Sequence, residues 1–285
     1  MYVLFCPCIQ DAALRARGIT RPSDLALFDR VRERCRKFSV EMVPFPCPET
    51  LFLGPDREPG TFLERLDKPE FPALLDRLEA QVREMIARRG QPLCIIGVNS
   101  SPTCGVTATY YGSNGEEPPK RPGRGVFLDR FCGIRAFDVT TFSRYRIYLA
   151  APLFSQAERT YNATLARLLE TNLFEVYLPQ ETGDDSDTRQ ESEQHRLFRQ
   201  NVEALEASDI VVAVIEGADA DSGTAWEMGY ASARGKPVIA IRTDFRRVGH
   251  HEHVNLMLEQ SAVVVTSSDD LFSALHSPLL PGPDG

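Results

Sequence analysis

Ile210-Val-Val-Ala-Val-Ile215-Glu-Gly-Ala-Asp-Ala-Asp221-Ser-Gly-Thr-Ala-Trp-Glu227 is the stretch that decides the fold of the second half of the chain. The apolar run at its start is typical of a buried strand, and the glycine-bearing loop after it leads into a helix at Thr224. In an open α/β sheet, ligands bind at the carboxyl end of a strand, beside the start of the next helix. A carboxylate in that crevice faces the positive end of the helix dipole, which favours its ionised form. Glu227 is therefore a candidate nucleophile or base.

A second interpretation of the same residues is purely structural. Thr224 and Glu227 have the spacing of a capping box, in which the glutamate side chain returns to the amide of the N-cap residue. Glu227 would then stabilise its own helix and take no part in chemistry. The stretch alone leaves both interpretations open.

The segments around this stretch repeat an alternation of strands and helices. Helices are predicted between the strands, among them one at about 188–207 that buries Phe198, Val202 and Leu205. Five alternating strands imply a doubly wound parallel sheet, so we predict an α/β domain of flavodoxin-like or Rossmann-like type. The predicted strands lie at 147–151, 175–178, 210–215, 238–242 and 262–266.

Three cysteines of the first half each follow a predicted strand. Cys8, Cys47 and Cys104 come just after apolar runs near residues 2–5, 40–43 and 93–98. Because the carboxyl ends of parallel strands lie on one edge of a sheet, the three thiols are expected to converge. Converging thiolates suit an iron–sulfur cluster or zinc. The alternative is a set of reduced cysteines that only fill apolar space.

Composition limits the class of protein. The chain has 285 residues, and all seven cysteines precede residue 133, so we predict two domains of different chemistry at 1–135 and 146–278. An odd cysteine count without a secretion signal argues against a disulfide framework. A net charge of −8 argues against a nucleic-acid polymer as partner, since its phosphates require a basic face. No apolar run is long enough to span a membrane, so we predict a cytoplasmic protein.

Six short motifs in the second half carry a family resemblance, and the resemblance covers roughly residues 146–277. Together, and in this order, they resemble the nucleoside 2-deoxyribosyltransferase family. The motifs are Ile147-Tyr-Leu-Ala-Ala-Pro-Leu-Phe154, Leu178-Pro-Gln-Glu181, Ala207-Ser-Asp209, the stretch 221–231, Gly235-Lys-Pro-Val238 and Asn255-Leu-Met257.

The resemblance implies a role for each matching residue. Glu227 would attack the sugar carbon to form a covalent glycosyl-enzyme, Tyr148 would orient the carboxylate, and Asp209 would position or protonate the base. The loop residues Asp221 and Gly223 would bind the sugar. Asn255 and Met257 match residues that reach a neighbouring subunit's site, which implies a homo-oligomer. No cofactor is implied for this domain.

The cysteine motifs of the first half carry a second resemblance. Cys8 after Pro7, Cys47-Pro-Glu49 and Ser101-Pro-Thr-Cys104-Gly105 resemble the signatures of the 2-thiouracil desulfurase-like family. That resemblance implies a 4Fe-4S cluster held by Cys8, Cys47 and Cys104, with Glu49 and Ser101 serving the active site. The family's Gly-Leu-Pro-Thr-Pro-Arg run is absent after Glu49, where Gly54-Pro-Asp-Arg57-Glu-Pro59 stands nearby instead.

The leading functional hypothesis is an enzyme that cleaves the N-glycosidic bond of a nucleoside and transfers the sugar to another free base. One alternative is hydrolysis of a deoxynucleoside 5'-monophosphate, with Arg242, Arg246 and Arg247 either holding the phosphate or forming a basic surface loop. Another is an iron–sulfur desulfurase of thiolated bases with a nucleotide-binding C-terminal module. A third possibility combines both halves in the salvage of thiolated nucleosides. One domain would then remove the sulfur and the other would cleave the bond between sugar and base.

Overall fold

A computed structural model describes residues 1–112, 120–182, 191–246 and 254–277. The chain divides into two compact units, Met1–Ser143 and Arg144–Gly285. This division falls inside the segment expected to join the two domains. Among the described residues, no helix combines the length and the apolar character needed to span a bilayer.

The first unit is built on a four-stranded parallel sheet and a small antiparallel ribbon. Its strands are β1 (Tyr2–Phe5), β2 (Glu41–Pro44), β3 (Ile95–Gly97), β4 (Ala108–Tyr110), β5 (Lys120–Pro122) and β6 (Ala136–Asp138). The sheet order is β2-β1-β3-β6, and β4 pairs with β5 as the ribbon. Its helices are α1 (Pro22–Lys37), α2 (Pro48–Leu53), α3 (Phe62–Arg65), α4 (Phe71–Arg89) and α5 (Val139–Ser143).

Helix α4 shows how sequence spacing forms this unit. Its apolar residues recur at helical spacing, and five of them are buried in the core that includes Leu4 and Ile95 of the sheet. Gly90 ends the helix with a φ of +85°, a conformation that a side chain would strain. The buried residues are Phe71, Leu74, Leu75, Leu78 and Val82.

The second unit is a five-stranded parallel sheet in the order β11-β10-β9-β7-β8. Its first strand lies between the second and third, which is the flavodoxin-like order. The predicted doubly wound sheet is therefore confirmed. The strands are β7 (Arg146–Ala150), β8 (Glu175–Tyr177), β9 (Ile210–Val214), β10 (Val238–Ile241) and β11 (Val263–Val265). The helices are α6 (Gln156–Thr171), α7 (Glu191–Ala207), α8 (Ser222–Ala233), α9 (Leu256–Ser261) and α10 (Ser268–Leu275).

Strand order places the crevices of the two units. In the second unit the chain leaves β7 towards β8 on one side, whereas β9 lies on the other side, so a crevice opens between the carboxyl ends of β7 and β9. The first unit repeats this arrangement at β1 and β3. The residues that follow these strands therefore lie where open α/β sheets bind their ligands.

The predicted burial of Phe198 on helix α7 is wrong. Leu205 is buried as predicted, but Phe198 is 56% exposed, and Leu197 is the buried residue beside it. The phenylalanine ring instead lies 5.8 Å from the Trp226 ring, which is itself 47% exposed. An aromatic pair on the surface thus takes the place of a core contact.

Candidate functional site

The helix that carries Glu227 begins earlier than the sequence suggests. Asp221 is its N-cap residue, and its Oδ2 accepts hydrogen bonds from the amides of Gly223 (2.9 Å) and Thr224 (3.1 Å). Thr224 is thus the third helical residue and not the N-cap. The capping box of Thr224 and Glu227 is therefore not formed, because another carboxylate already caps the helix.

Glu227 contacts a tyrosine of the central sheet instead. Its Oε1 accepts a short hydrogen bond from the hydroxyl of Tyr148, which lies at the middle of β7 and is fully buried. Its other carboxylate oxygen has no partner among the described residues. The sequence-based pairing of Tyr148 with Glu227 is thus a direct contact at the β7–β9 crevice.

The surroundings of this pair set its protonation. Burial raises the pKa of Glu227 to about 7, the Tyr148 hydrogen bond lowers it, and the nearby charge of Asp221 raises it. Burial and the Glu227 carboxylate both raise the pKa of Tyr148, so this phenol remains a donor. Near neutral pH, Glu227 is therefore present in both charged and neutral forms. A group with that pKa can attack an electron-poor carbon or transfer a proton.

Two further polar residues extend the network, and the sequence reasoning missed them. The ring of Tyr177 stacks on Tyr148 with centroids 5.4 Å apart, and its hydroxyl donates to Asn201 Oδ1 at 2.9 Å. Tyr177 lies on β8 directly opposite Tyr148 in the strand register, and Asn201 lies on α7. Strand register was the only signal that could have linked the two tyrosines.

Asp209 lies elsewhere, and its predicted place at the base requires a correction. It precedes β9, so it is at the amino edge of the sheet, opposite the loop that carries Asp221. Its Oδ2 accepts hydrogen bonds from the amides of Tyr145 (3.0 Å) and Arg146 (2.9 Å). These contacts fix the start of β7. Asp209 is thus a structural residue that the fold does not bring to Glu227.

Three residues predicted to bind substrate lie on two neighbouring helices. Gly223 belongs to α8, whereas Asn255 and Met257 lie at the start of α9. A Cβ atom at Gly223 would lie 3.0 Å from Asp221 Oδ2, so the missing side chain leaves room for the cap. Asn255 caps α9 by accepting a hydrogen bond from the amide of Met257 (3.0 Å). Helix α9 packs against α8, and Met257 is 75% exposed. Their roles in substrate binding stay predictions.

The arginines considered for a phosphate are largely engaged within the chain. Arg242 donates to the carbonyl oxygens of Ile215 (2.8 Å) and Arg246 (3.1 Å). Arg246 donates from Nε to both carboxylate oxygens of Asp244, at 3.0 and 2.8 Å. Arg247 lies outside the described residues. This geometry gives the 5'-monophosphate alternative no added support.

The N-terminal unit brings its predicted thiols together. Cys8, Cys47 and Cys104 line a cavity of about 720 Å³, and Cys6 joins them. A hydrogen bond to Cys104, followed by burial, raises the pKa of Cys6, while burial and then the neighbouring Cys104 and Cys47 raise that of Cys8. Burial, then Cys104 and Glu49, raises the pKa of Cys47 to about 11. The sequence reasoning did not single out Cys6 as a fourth thiol.

Glu49 and Ser101 meet beside this thiol cluster. Glu49 Oε1 accepts hydrogen bonds from the hydroxyls of Ser101 (2.7 Å) and Thr103 (2.8 Å). Its Oε2 accepts a longer one from the guanidinium of Arg57 (3.4 Å). Both predicted residues thus face one cavity, with Thr103 and Arg57 as partners that the sequence did not reveal.

The thiol cluster, formed by Cys6, Cys8, Cys47 and Cys104, offers sulfur donors, and these indicate the kind of group that it could bind. Within the described residues, no group of three histidine, cysteine or acidic side chains is arranged to hold a single metal ion. The iron–sulfur cluster and the zinc site both stay predictions. An iron–sulfur cluster takes its thiolates on separate irons, and soft sulfur donors from three strand ends fit that group. Cys8, Cys47 and Cys104 would hold it.

Comparison with known protein families gives a match within the second unit. Residues 147–265 match the family model described as nucleoside 2-deoxyribosyltransferase, which confirms the resemblance stated for this half. No curated protein matches the chain. The matched segment contains Tyr148, Asp221 and Glu227.

Three solved structures illustrate what the chain is similar to. A conserved protein from Enterococcus faecalis V583 is 32% identical, with 46% of this chain and 96% of that chain covered and a TM-score of 0.41. A 2-deoxyribosyltransferase from Bacillus psychrosaccharolyticus is 25% identical, with 48% and 98% covered and a TM-score of 0.41. A 4Fe-4S-dependent thiouracil desulfidase, TudS, is 18% identical, with 59% and 99% covered and a TM-score of 0.32.

Proposed function

We propose, from the premise that residues 147–265 form a nucleoside 2-deoxyribosyltransferase domain, that the protein cleaves the N-glycosidic bond of a nucleoside and transfers its sugar to another base. The observation that carries this proposal is the Tyr148–Glu227 pair at the β7–β9 crevice. A carboxylate with a pKa of about 7 and one oxygen that has no partner among the described residues is suited to attack an electron-poor carbon.

The first step exchanges one bond at the sugar for another. A carboxylate oxygen of Glu227 forms a bond to the anomeric carbon while the bond from that carbon to the base nitrogen breaks. The electron pair of the broken bond leaves with the base, which then takes up a proton from solvent or an acid in the site. Tyr148 positions the carboxylate by donating its hydroxyl hydrogen to Oε1.

The second step regenerates the enzyme. A ring nitrogen of an incoming base attacks the anomeric carbon, the carbon–oxygen bond to Glu227 breaks, and the carboxylate recovers its electron pair. The incoming base gives up the proton of that nitrogen to solvent or to the group that protonated the departing base. Water in place of the base would give hydrolysis. Transfer therefore depends on how well the occupied crevice excludes water.

A product assay tests the proposal directly. We expect deoxyinosine plus adenine to give deoxyadenosine plus hypoxanthine, and we expect no product from Glu227→Ala. Glu203→Gln is the matched control, since Glu203 is an exposed glutamate on α7. The absence of turnover by the wild type on a panel of nucleosides and nucleotides would overturn the proposal. Free sugar in place of deoxyadenosine would identify a hydrolase.

Asn255 and Met257 support a proposal about assembly. The exposed Met257 side chain on α9 is free to enter a neighbouring subunit's crevice, so we infer a homo-oligomer with shared active sites. Sedimentation analysis and mixing of two inactive variants, Glu227→Ala and Met257→Glu, test this. Recovered activity in the mixture supports shared sites, whereas a monomeric active enzyme contradicts them.

A second candidate function concerns the N-terminal unit. We propose that Cys8, Cys47 and Cys104 bind a 4Fe-4S cluster and that the unit removes sulfur from a thiolated base. The grouping of these thiols beside Glu49 and Ser101 favours it. In this reaction water would add to the thiocarbonyl carbon and hydrogen sulfide would leave, so that a carbonyl oxygen replaces the sulfur. The cluster would supply an iron that binds the sulfur, while Glu49 and Ser101 would accept and donate the protons. Iron and sulfide analysis and an absorbance spectrum of the anaerobically purified protein test this proposal. We expect bound iron and sulfide and a broad absorbance at about 400 nm. An iron-free, colourless sample would contradict it.

A further inference from the structure

A second tyrosine packs against the ring of Tyr148. Tyr177 lies on β8 directly opposite Tyr148 in the parallel register, so both side chains leave the sheet on the same face. The two rings are stacked, with centroids 5.4 Å apart and planes inclined by 20°. Val211 of β9 is the register partner of Tyr148 on its other side. Tyr148 thus lies between residues of two neighbouring strands.

The hydroxyl of Tyr177 anchors its ring to helix α7. It donates to Asn201 Oδ1 at 2.9 Å and also lies 3.5 Å from Thr182 Oγ1. A phenol has a single hydrogen, so the shorter contact takes it. Thr182 Oγ1 donates its own hydrogen to the carbonyl oxygen of Pro179 at 2.8 Å. Asn201 is therefore the residue that anchors Tyr177.

These contacts connect helix α7 to helix α8 through two strands. Asn201 on α7 holds Tyr177 on β8, the Tyr177 ring stacks on Tyr148 of β7, and Tyr148 donates to Glu227 on α8. Every link is a hydrogen bond or a ring stack between side chains. A displacement of Tyr177 would therefore move the Tyr148 hydroxyl, and with it the carboxylate that accepts from it.

A tyrosine at position 177 supplies more than packing. A leucine would fill this half-buried position without a polar group to satisfy. The tyrosine brings a rigid ring that stacks and a hydroxyl that reaches α7. Both properties fix the plane of the Tyr148 ring, whereas an aliphatic side chain would leave that plane free to tilt.

We infer, given the proposed sugar transfer, that Tyr177 and Asn201 position the nucleophile by way of Tyr148. They hold the Tyr148 hydroxyl against Glu227 Oε1, so that the other carboxylate oxygen is presented to the anomeric carbon. Attack depends steeply on the position of the nucleophile. The two positioning residues therefore raise kcat and contribute little to nucleoside binding.

Steady-state kinetics at neutral pH measure each link. Tyr177→Phe keeps the stack and removes the anchor, and Asn201→Leu removes the acceptor. Each should lower kcat by about 2- to 10-fold, the effect of one hydrogen bond. KM should stay within about twofold of the wild type, because the lost contact acts in the transition state. A raised KM with unchanged kcat would indicate direct contact with the nucleoside and would overturn the inference.

The pH profile separates positioning from packing. Burial raises the pKa of Glu227, the hydrogen bond from Tyr148 lowers it, and the charge of Asp221 raises it. Tyr177→Leu should weaken that hydrogen bond, so the midpoint of the kcat/KM profile should move to higher pH, as in Tyr148→Phe. Loss of packing alone would admit water and move the midpoint downward, which would contradict the inference.

A double-mutant cycle tests the path through Tyr148. Tyr177→Leu removes both the stack and the anchor, so in the wild type it should cost about 10-fold in kcat. In the Tyr148→Phe background it should cost less than about twofold, since the hydroxyl through which it acts is already absent. Losses that multiply in the double variant would overturn the inference.

Tyr230→Phe is the matched control. It removes a phenol of the same unit that donates to Glu206, outside the path from α7 to Glu227, and should leave kcat, KM and the midpoint unchanged. Thermal melting identifies any unfolded variant, and Tyr177→Phe, which keeps the ring, decides the matter if Tyr177→Leu does not fold. A wild type without sugar transfer would overturn the proposed function and this inference with it. An active wild type with multiplying losses would overturn this inference alone.

Discussion

Glu49 and Glu227 each follow a strand at the carboxyl edge of a parallel sheet, yet the two carboxylates are held differently. Both oxygens of Glu49 are occupied, by two hydroxyl groups and one guanidinium. Glu227 has one hydrogen bond, from a buried phenol, and an oxygen without a described partner. The same topology therefore supplies one carboxylate fixed within a network and one left available for reaction.

The surroundings of the two carboxylates also differ in kind. Thiols and arginines line the cavity beside Glu49, whereas stacked tyrosines lie beneath Glu227. Burial dominates the second environment and raises the pKa of Glu227 to about 7. Topology thus places a carboxylate, but its neighbours determine its chemistry.

The largest effect is expected from moving the reactive carboxylate. Glu227→Asp keeps the charge but shortens the side chain by one methylene. The carboxylate oxygen then no longer reaches the anomeric carbon of the bound nucleoside. A displacement of this order costs about 10²-fold in rate. Steady-state kcat for sugar transfer measures it, with Glu203→Asp as the control. A Glu227→Asp variant as active as the wild type would contradict the conclusion that Glu227, unlike Glu49, is the carboxylate available for reaction.

Removal of the phenol hydroxyl should have the next largest effect. Tyr148→Phe deletes the hydrogen bond that lowers the pKa of Glu227, so that pKa rises further. Activity requires the ionised carboxylate, so kcat/KM should rise with pH through about 7 in the wild type and at higher pH in the variant. At neutral pH we expect about a 10-fold loss.

The pH profile distinguishes positioning from packing in Tyr148→Phe. A purely structural tyrosine would lower activity equally at every pH. A profile with the wild-type midpoint would therefore contradict the account of the pair.

Asp209 should affect stability rather than catalysis. Asp209→Ala leaves the amides of Tyr145 and Arg146 without their carboxylate acceptor, at a cost of about 1–3 kcal/mol in the free energy of unfolding. Urea denaturation measures that loss. Activity per folded molecule should remain within about twofold of the wild type, since no catalytic step involves this residue. A stable but inactive variant would restore Asp209 to the site.

Asp221 should give the smallest effect. Asn is as good an N-cap as Asp, so Asp221→Asn keeps helix α8 while removing a negative charge. That charge raises the pKa of Glu227, so the midpoint of the kcat/KM profile should move to lower pH. Asp219→Asn, an exposed neighbour, serves as control. A midpoint that moves upward would contradict the electrostatic account.

Local patterns in the sequence predicted much of this molecule. The strand–helix alternation led to the five-stranded sheet, and the three strand-end cysteines led to one cavity. Both follow from short-range rules: apolar runs form strands, and parallel strands end on a common edge. The Tyr148–Glu227 contact came from the family resemblance, which linked two positions far apart in sequence.

The errors arose where three-dimensional neighbours decide the outcome. Asp209 matched a motif, but it precedes its strand, so it lies at the wrong edge of the sheet. Phe198 had helical spacing typical of a core residue, yet it contacts Trp226 on the surface. Tyr177 and Asn201 meet only because of strand register and the packing of α7, which spacing along the chain does not report.

Covalent trapping tests the central claim most directly. A 2'-deoxy-2'-fluoro nucleoside would slow breakdown of a glycosyl-enzyme, and mass spectrometry of the digested protein would locate the attached sugar. We predict the added mass on the peptide that contains Glu227, and its absence from Glu227→Gln. A label on another carboxylate, or equal labelling of Glu227→Gln, would contradict the account.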